Sequence, residues 1–272
     1  MKLSVLSTLH GGFFFPDMLP GDTFRERLRS LKRLGFDAVE IWGHGLKAEI
    51  EPVRRALKEE GVKVSAICSG FRGSLLAADP AERLTCYRDF EELLELSATL
   101  EAGGLVFVPI FSQGPKVAGL EPMWDAAEVE RRLFLDLIGK LTARAGTLGT
   151  TLLLEPVNRY ETHLFNTLEE AADVCREVGS GALRILADFF HMNLEEADIA
   201  GSIRRHGRFI GHVHLVDSNR FLPGQGHTDF APGIRALRES GYTGYLSLEC
   251  FAKGDPETAL SQAVTFMKEL IQ

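Results

Sequence analysis

The sequence predicts an α/β protein built as a closed (β/α)8 barrel, the TIM barrel, with residues 1–272 forming one domain. Three observations predict it. A helix-period segment, a glycine and a short β-rich run recur along the chain, and the β-rich runs count to eight. Strands this apolar, alternating with amphipathic helices, indicate a parallel sheet covered by helices. The length of 272 residues is close to the roughly 250 typical of such barrels. An apolar fraction of 45% and a charged fraction of 25% sit near globular averages, which argues against disorder or fibrous structure.

The elements follow in order. "MKLSVLSTLHGGFFFP" has one early Lys and an apolar run broken by Ser7, Thr8 and His10, so it reads as a first strand, "KLSVLSTL", rather than a signal peptide. Thr23-x-x-Glu26 then marks a helix start, and Phe24, Leu28, Leu31 and Leu34 fall on one face of that helix. Gly35 precedes the second strand "FDAVEIWG", and Gly61 precedes the third, "VKVSAICSG". Asp79-Pro80 opens the next helix, followed by strand four in "GLVFVPIF" and a long loop, "FSQGPKVAGLEPMWD". Gly149 precedes strand five, "TTLLLEPV"; Thr167-x-x-Glu170 starts another helix, and "LRILADFF" is strand six. Gly207 and Gly241 precede "RFIGHVHLVD" and "YTGYLSLEC", and Asp255-Pro256 starts the last helix. Each of these glycines is placed to cap a helix in the left-handed conformation, and eight helical segments are expected.

In such a barrel, functional residues sit at the C-terminal strand ends. Strand five ends in Glu155, strand six in Asp188 with His191 just past it, strand seven carries His212 and His214, and strand eight ends in Glu249. Taken singly, each has an ordinary explanation: a strand-end Glu is usually solvated or capping, and a strand His is usually a satisfied core residue. Taken together, Glu155, Asp188, His214 and Glu249 put three carboxylates and an imidazole in one cleft, where the charge repels itself without a cation. Oxygen-rich ligation with one imidazole suits Mn2+, Mg2+ or Co2+ better than Zn2+. His191 is expected to overhang the site and meet a substrate oxygen. Asn158, Arg159 and Glu161 follow strand five, and Arg220 lies in a Gly- and Pro-rich loop after strand seven; Arg159 and Arg220 could equally be surface salt bridges.

"LLLEPVNRYE", "DFFHMNLEE" and "GHVHLVDSNRFLPGQG" resemble the motifs of the ketose 3-epimerases, the D-tagatose and D-psicose 3-epimerase group of the xylose-isomerase-like barrels. The likeness is specific from about Thr150 to Phe251 and looser before, where it rests on strand-helix order and "GFDAVEI". It implies one divalent metal, usually Mn2+, on Glu155, Asp188, His214 and Glu249, with Glu155 and Glu249 also the acid and base. It implies that Glu161, His191 and Arg220, together with His214, contact a ketose whose O2 and O3 reach the metal. The implied activity is a metal-dependent epimerisation at C3 of a ketose or ketose phosphate, by two-carboxylate proton transfer through an enediolate.

The chain departs from that group in "HGGFFFPD", "WGHGLK", "SGFRGS" and "GHTDF", and has "PIFSQGP" where the group has an aromatic cluster with Trp. These loops meet the far end of the sugar, so its identity stays open. Arg72 is a candidate for a phosphate, although a lone loop Arg is more often a surface charge, and His227 is expected to be structural. An aldose-ketose isomerase of hydroxypyruvate or rhamnose type would use the same metal and carboxylates. An endonuclease IV-like nuclease would need extra histidines on strands three and four, which have none, and a net charge of −8 argues against a nucleic-acid surface. An inactive sugar-binding barrel is disfavoured because no ligand or acid-base residue is missing. Cys68, Cys86, Cys175 and Cys250 are scattered without a C-x-x-C pair, which with the first-strand reading makes the cytoplasm the expected compartment. No run approaches membrane-spanning length. The expected partner is a small sugar, with neither nucleic acid nor membrane, and further copies of the chain in a homo-oligomer are an open alternative.

Overall fold

A computed structural model describes residues 1–10 and 17–271. Short apolar runs form β1 (Lys2–Ser7), β2 (Ala38–Trp42), β3 (Lys63–Cys68), β4 (Leu105–Phe107), β5 (Leu152–Leu154), β6 (Leu183–Asp188), β7 (Ile210–His214) and β8 (Tyr245–Leu248). They pair in parallel in chain order, and β1 also pairs with β8, which closes the barrel. The expected fold class is the observed one. β4 and β5 are shorter than their apolar runs because Pro109 and Pro156 follow, and proline has no N–H to continue the ladder.

The covering helices are α1 (Phe24–Leu34), α2 (Leu46–Glu60), α3 (Pro80–Thr99), α4 (Ala126–Leu148), α5 (Leu168–Val178), α6 (Phe189–Glu195), α7 (Ile199–His206), α8 (Phe230–Glu239) and α9 (Pro256–Ile271). The capping boxes at Thr23 and Thr167 both form, each threonine side chain accepting from the N–H of its glutamate. In α1, Leu28 and Leu31 are fully buried, with Phe24 and Leu34 packed on the edge of the core. Two expectations are corrected. Nine α-helices rather than eight lie among the described residues, because α6 starts directly from β6 with Asp188 as its N-cap and is followed by α7. Gly207 is not a left-handed cap: its φ is −54°, and it starts a single 3-10 turn into β7, whereas Gly35, Gly61 and Gly149 do cap left-handed.

Strand alternation sorts side chains into two shells. Outward residues such as Val5, Ile41 and Leu154 pack under the helices, while Leu6, Ala66, Cys68, Val106, Leu153 and Leu186 fill the barrel. The long loop after β4 is held at both ends of its course: Ser112 bridges Thr162, and Leu120 bridges Trp124. Buried Glu130 on α4 takes Lys116 N–H and lies 2.5 Å from His163 Nε2. Among the described residues, no helix is long and apolar enough to cross a membrane.

β7 carries one extra residue. Ile210 pairs with Ile185 and His212 with the next residue, Leu186, so Gly211 is the bulge that sets the inward aim of the two histidines. A Cβ there would stand 2.7 Å from Arg184 Cβ and 2.9 Å from Leu153 Cδ2. Gly211→Ala is therefore expected to cost about 1–3 kcal/mol in urea denaturation. An unchanged midpoint would show that the strands separate there freely.

Candidate metal centre and substrate cavity

The strand ends deliver four side chains to one point. Glu155 is the first residue after β5, Asp188 the last of β6, His214 the last of β7 and Glu249 the first after β8. Asp188 and His214 are register partners across β6 and β7. All four are buried, and one ligand atom from each lies within 4.8 Å of the others. Opposite ligands on an ion with bonds of about 2.1 Å stand about 4.2 Å apart, so the cluster is near the size of a divalent coordination shell.

The electrostatics point the same way. His214 Nδ1 lies 3.2 Å from Glu249 Oε2, 3.7 Å from Asp188 Oδ2 and 3.8 Å from Glu155 Oε1. Two carboxylates about 4 Å apart repel by about 4 kcal/mol at an effective dielectric near 20, too much for one imidazole to neutralise three. Burial raises the Glu155 carboxyl well above its ordinary value, and Glu249 and Asp188 add to this against the pull of His214. Burial also acts on Asp188, but His191, His214 and the Phe190 N–H outweigh it and hold that carboxyl low. His214 is raised well above its usual value despite burial, because Glu40 and Glu249 face its ring. Burial and the neighbouring Glu249 keep the Cys68 thiol protonated, and it donates to Glu249 Oε1 at 3.3 Å. Three oxygens and a nitrogen, buried and short of positive charge, fit a hard-to-borderline divalent cation.

Glu40, absent from the sequence-based candidates, lies directly behind this cluster. Its carboxylate takes His212 Nε2 at 2.9 Å and His214 Nε2 at 3.0 Å. Burial would raise it, yet the two rings hold it below the ordinary carboxylate range. The signal was available: Glu40 is an acid inside the apolar run "AVEIW", as Asp188 is in its own strand.

A cavity of about 850 Å³ opens above the cluster, and its two sides differ. Glu155, Glu249, Glu161, His191 and Arg220 form one wall; Trp42, Phe71, Val106, Phe107 and Phe111 are the large apolar side chains of the other. On the polar side His191 Nδ1 accepts the Asn158 backbone N–H at 3.1 Å, and burial lowers the ring's pKa, so the neutral ring carries its proton on Nε2. That Nε2 stands 3.4 Å from Arg220 Nη2 and 3.8 Å from Glu155 Oε1. Arg220 also meets Glu161 Oε1 at 3.1 Å and lies over the Phe190 ring. The three expected substrate contacts Glu161, His191 and Arg220 thus share one wall, whereas His214 is 0% exposed beneath it and does not line the cavity.

Other candidates fall elsewhere. Arg159 is bound at the surface by Glu195, and the Arg72 guanidinium is committed to Asp89 through two nitrogens. His227 is exposed, and its backbone N–H meets Ser218 Oγ at 3.0 Å. In "HGGFFFPD", residues 11–16 lie outside the described residues. The "WGHGLK" and "SGFRGS" loops pack backbone to backbone, since a Cβ on Gly70 would stand 2.7 Å from the Gly43 carbonyl carbon. That contact sets Trp42 and Phe71 in the cavity wall. Phe111, 65% exposed, supplies the aromatic ring after β4.

The Arg220 loop is built around Asp217, a second residue missed in the sequence. Asp217 Oδ1 accepts the N–H groups of Ser218 and Thr228 at 2.7 and 3.0 Å, and Oδ2 those of Gly224 and Gly226 at 3.0 and 2.8 Å. The loop closes on β8 through Phe251 N–H, which donates to Arg220 O at 2.9 Å. Arg220 itself holds a φ of 65°, so the surrounding bonds impose its conformation.

Residues 28–270 match the xylose isomerase-like TIM barrel family. The chain belongs to this family. Within it, the chain is similar to 3-dehydro-D-guloside 4-epimerase of Escherichia coli K12, with 33% identity over 94% of this chain and 96% of that one. It is also similar to D-psicose 3-epimerase of Agrobacterium fabrum, with 31% identity over 85% of this chain and 80% of the other. Among solved structures, the apo form of 3-keto-D-glucoside 4-epimerase from E. coli superposes with a TM-score of 0.86, at 31% identity and 99% coverage of both chains.

In this member of the family the Asp217 cage has a measurable signature. Burial raises the Asp217 carboxyl, but the N–H groups of Thr228, Ser218 and Gly226 outweigh it and hold it below its ordinary value. A lowered folded pKa stabilises above the unfolded value near 3.9, and the contribution is lost as pH falls through the folded value. Asp217→Asn is expected to cost about 1.5–3 kcal/mol at neutral pH, the range for hydrogen bonds to a charged group. Melting curves of variant and wild type should converge below about pH 4. A gap that stays constant into acid would contradict the cage.

Proposed function

We propose that this single barrel domain is a metal-dependent sugar 3-epimerase acting on a ketose or ketose phosphate. The chain is an enzyme of sugar chemistry, as its epimerase relatives support. The observation that carries the finer reading is the placement of Glu155 and Glu249. They leave β5 and β8, and Asp188 and His214 from β6 and β7 lie between them at the same mouth. Two carboxylates set apart in this way can address opposite faces of one substrate carbon.

Glu155, Asp188, His214 and Glu249 would hold the ion, with Mn2+ the best fit to the donor set and Mg2+ or Co2+ compatible. Bound there, the ion supplies Lewis-acid polarisation of the substrate carbonyl. His191, through Nε2–H, and Arg220 donate to oxygens at the carbonyl end of the sugar, and Glu161 orients Arg220 and accepts a hydroxyl. One of Glu155 and Glu249 takes the proton from C3, leaving an enediolate, and the other returns a proton to the opposite face.

A second reading has its own observation. The far wall of the cavity is largely apolar, and two of its polar side chains are already engaged, Ser112 Oγ donating to Gly114 O and Gln113 Nε2 to Tyr160 O, each at 2.7 Å. A sugar with an apolar substituent suits that wall better than one with a free hydroxyl on every carbon. This supports epimerisation beside the carbonyl of a 3-keto-glycoside, with the proton moved at C4, the reaction position in the name of the E. coli relative.

Turnover in deuterium oxide separates the possibilities. The proposed reaction places deuterium at C3 of a ketose product and none at C1. A 3-keto-glycoside substrate would instead gain label at C4, and label confined to C1 or C2 would assign an aldose-ketose isomerase and overturn the proposal. His191→Ala and Arg220→Ala are expected to lower kcat/KM about 10- to 100-fold, the equivalent of one charged hydrogen bond, with metal content normal by elemental analysis. Loss of metal in either variant would show that these residues ligate rather than bind sugar.

A further inference from the structure

Glu40 sits within β2 at 0% exposure, yet no cavity or solvent contact gives it a direct role in chemistry. A carboxylate that deeply buried persists only when paired. Its partners come from across the barrel: Oε2 meets His212 Nε2 at 2.9 Å and Oε1 meets His214 Nε2 at 3.0 Å. β2 and β7 are separated on one side by β1 and β8. On those two strands Ser4 and Ser247 are small, fully buried register partners, which leaves room for the glutamate to span the interior.

The other nitrogen of His214 is what makes this consequential. Nδ1 faces Glu249, Asp188 and Glu155 at 3.2, 3.7 and 3.8 Å and has no hydrogen-bond partner. An imidazole ligates a cation only through a bare nitrogen, so its proton must be on the other. We propose that Glu40 is a positioning residue that accepts the Nε2–H of His214 and thereby presents Nδ1 bare to the cation site. His212 holds the second carboxylate oxygen, so that the carboxylate cannot rotate away from His214. This inference rests on the ligand set proposed above.

Glu40, His212 and His214 also have atoms within 4.8 Å of one another, close enough to suggest an ion of their own. The 2.9 and 3.0 Å separations are hydrogen-bond lengths, and a nitrogen that donates to Glu40 has no lone pair left for a metal. One ion per chain is therefore expected.

The test titrates Mn2+ into the full-length chain after chelator treatment and compares wild type with Glu40→Gln, Glu40→Ala and His212→Asn. Wild type should bind one Mn2+. The Glu40 variants should bind it about 10- to 100-fold more weakly, the usual effect of removing the hydrogen-bond partner of a ligating histidine, and His212→Asn about 3- to 10-fold more weakly, because the carboxylate is kept but freed at one oxygen. Glu40→Gln is close to isosteric, and the metal-free melting temperature separates a lost fold from a lost ligand orientation. If neither Glu40 variant folds, His212→Asn with wild-type affinity overturns the clamp. Nitrogen-15 spectra of the Mg2+-loaded wild type should place the His214 proton on Nε2, and that resonance should be lost or shifted in Glu40→Ala. Unchanged Mn2+ affinity in a folded Glu40 variant, a proton on Nδ1 in wild type, or two ions per chain would each overturn the proposal. A wild type that binds no Mn2+ would bring down the ligand assignment and this inference with it, whereas equal binding by wild type and Glu40 variants brings down this inference alone.

Discussion

Three carboxylates and an imidazole buried together at the mouth of the barrel set the constraint on which the other features depend. Such a group is unstable as a collection of bare charges. Within the protein alone, the conflict is met by a raised Glu155, a lowered Asp188 and a raised His214. A divalent cation removes the conflict at its source, because it replaces mutual repulsion by shared attraction. The barrel makes the arrangement possible by fixing each ligand to a strand end, where backbone pairing prevents the carboxylates from moving apart.

Support for the cluster extends outward in two directions. Beneath it, Glu40 reaches across the interior from β2, and the Gly211 bulge sets the two β7 histidines toward it. Above it, Asp217 gathers four backbone N–H groups and fixes the loop that carries Arg220, while Asn158 pins both His191 and Glu161. Glu40, Asp217 and Asn158 are polar and nearly inaccessible to solvent. The apolar wall opposite is formed differently, by aromatic side chains on loops that pack through glycine contacts. One side of the cavity is therefore rigid and charged, and the other offers surface for an apolar group.

Much of this was legible in the sequence because it is local. Capping boxes at Thr23 and Thr167, the alternation of apolar runs with helices, and a carboxylate or imidazole at the end of each strand from β5 to β8 all follow from short-range rules. Gly207 misled because a glycine before a strand can also enter a 3-10 turn, and the α6–α7 pair was missed because Asp188 serves as strand end and helix cap at once. Glu40 needed long-range information, since its partners lie 172 and 174 residues away, whereas the partners of Asp217 are backbone N–H groups of its own loop, which residue types do not reveal. For Glu40 the warning was nonetheless present, since an acid within an apolar strand requires a partner wherever it occurs.

The central claim is that the carboxylate cluster exists to hold one cation. Anomalous diffraction at the manganese edge from crystals grown with Mn2+ tests it most directly. The account predicts a single peak, about 2.0–2.3 Å from oxygens of Glu155, Asp188 and Glu249 and from His214 Nδ1. A peak bound instead between Glu40, His212 and His214, or no peak at the strand ends of β5 to β8, would contradict it.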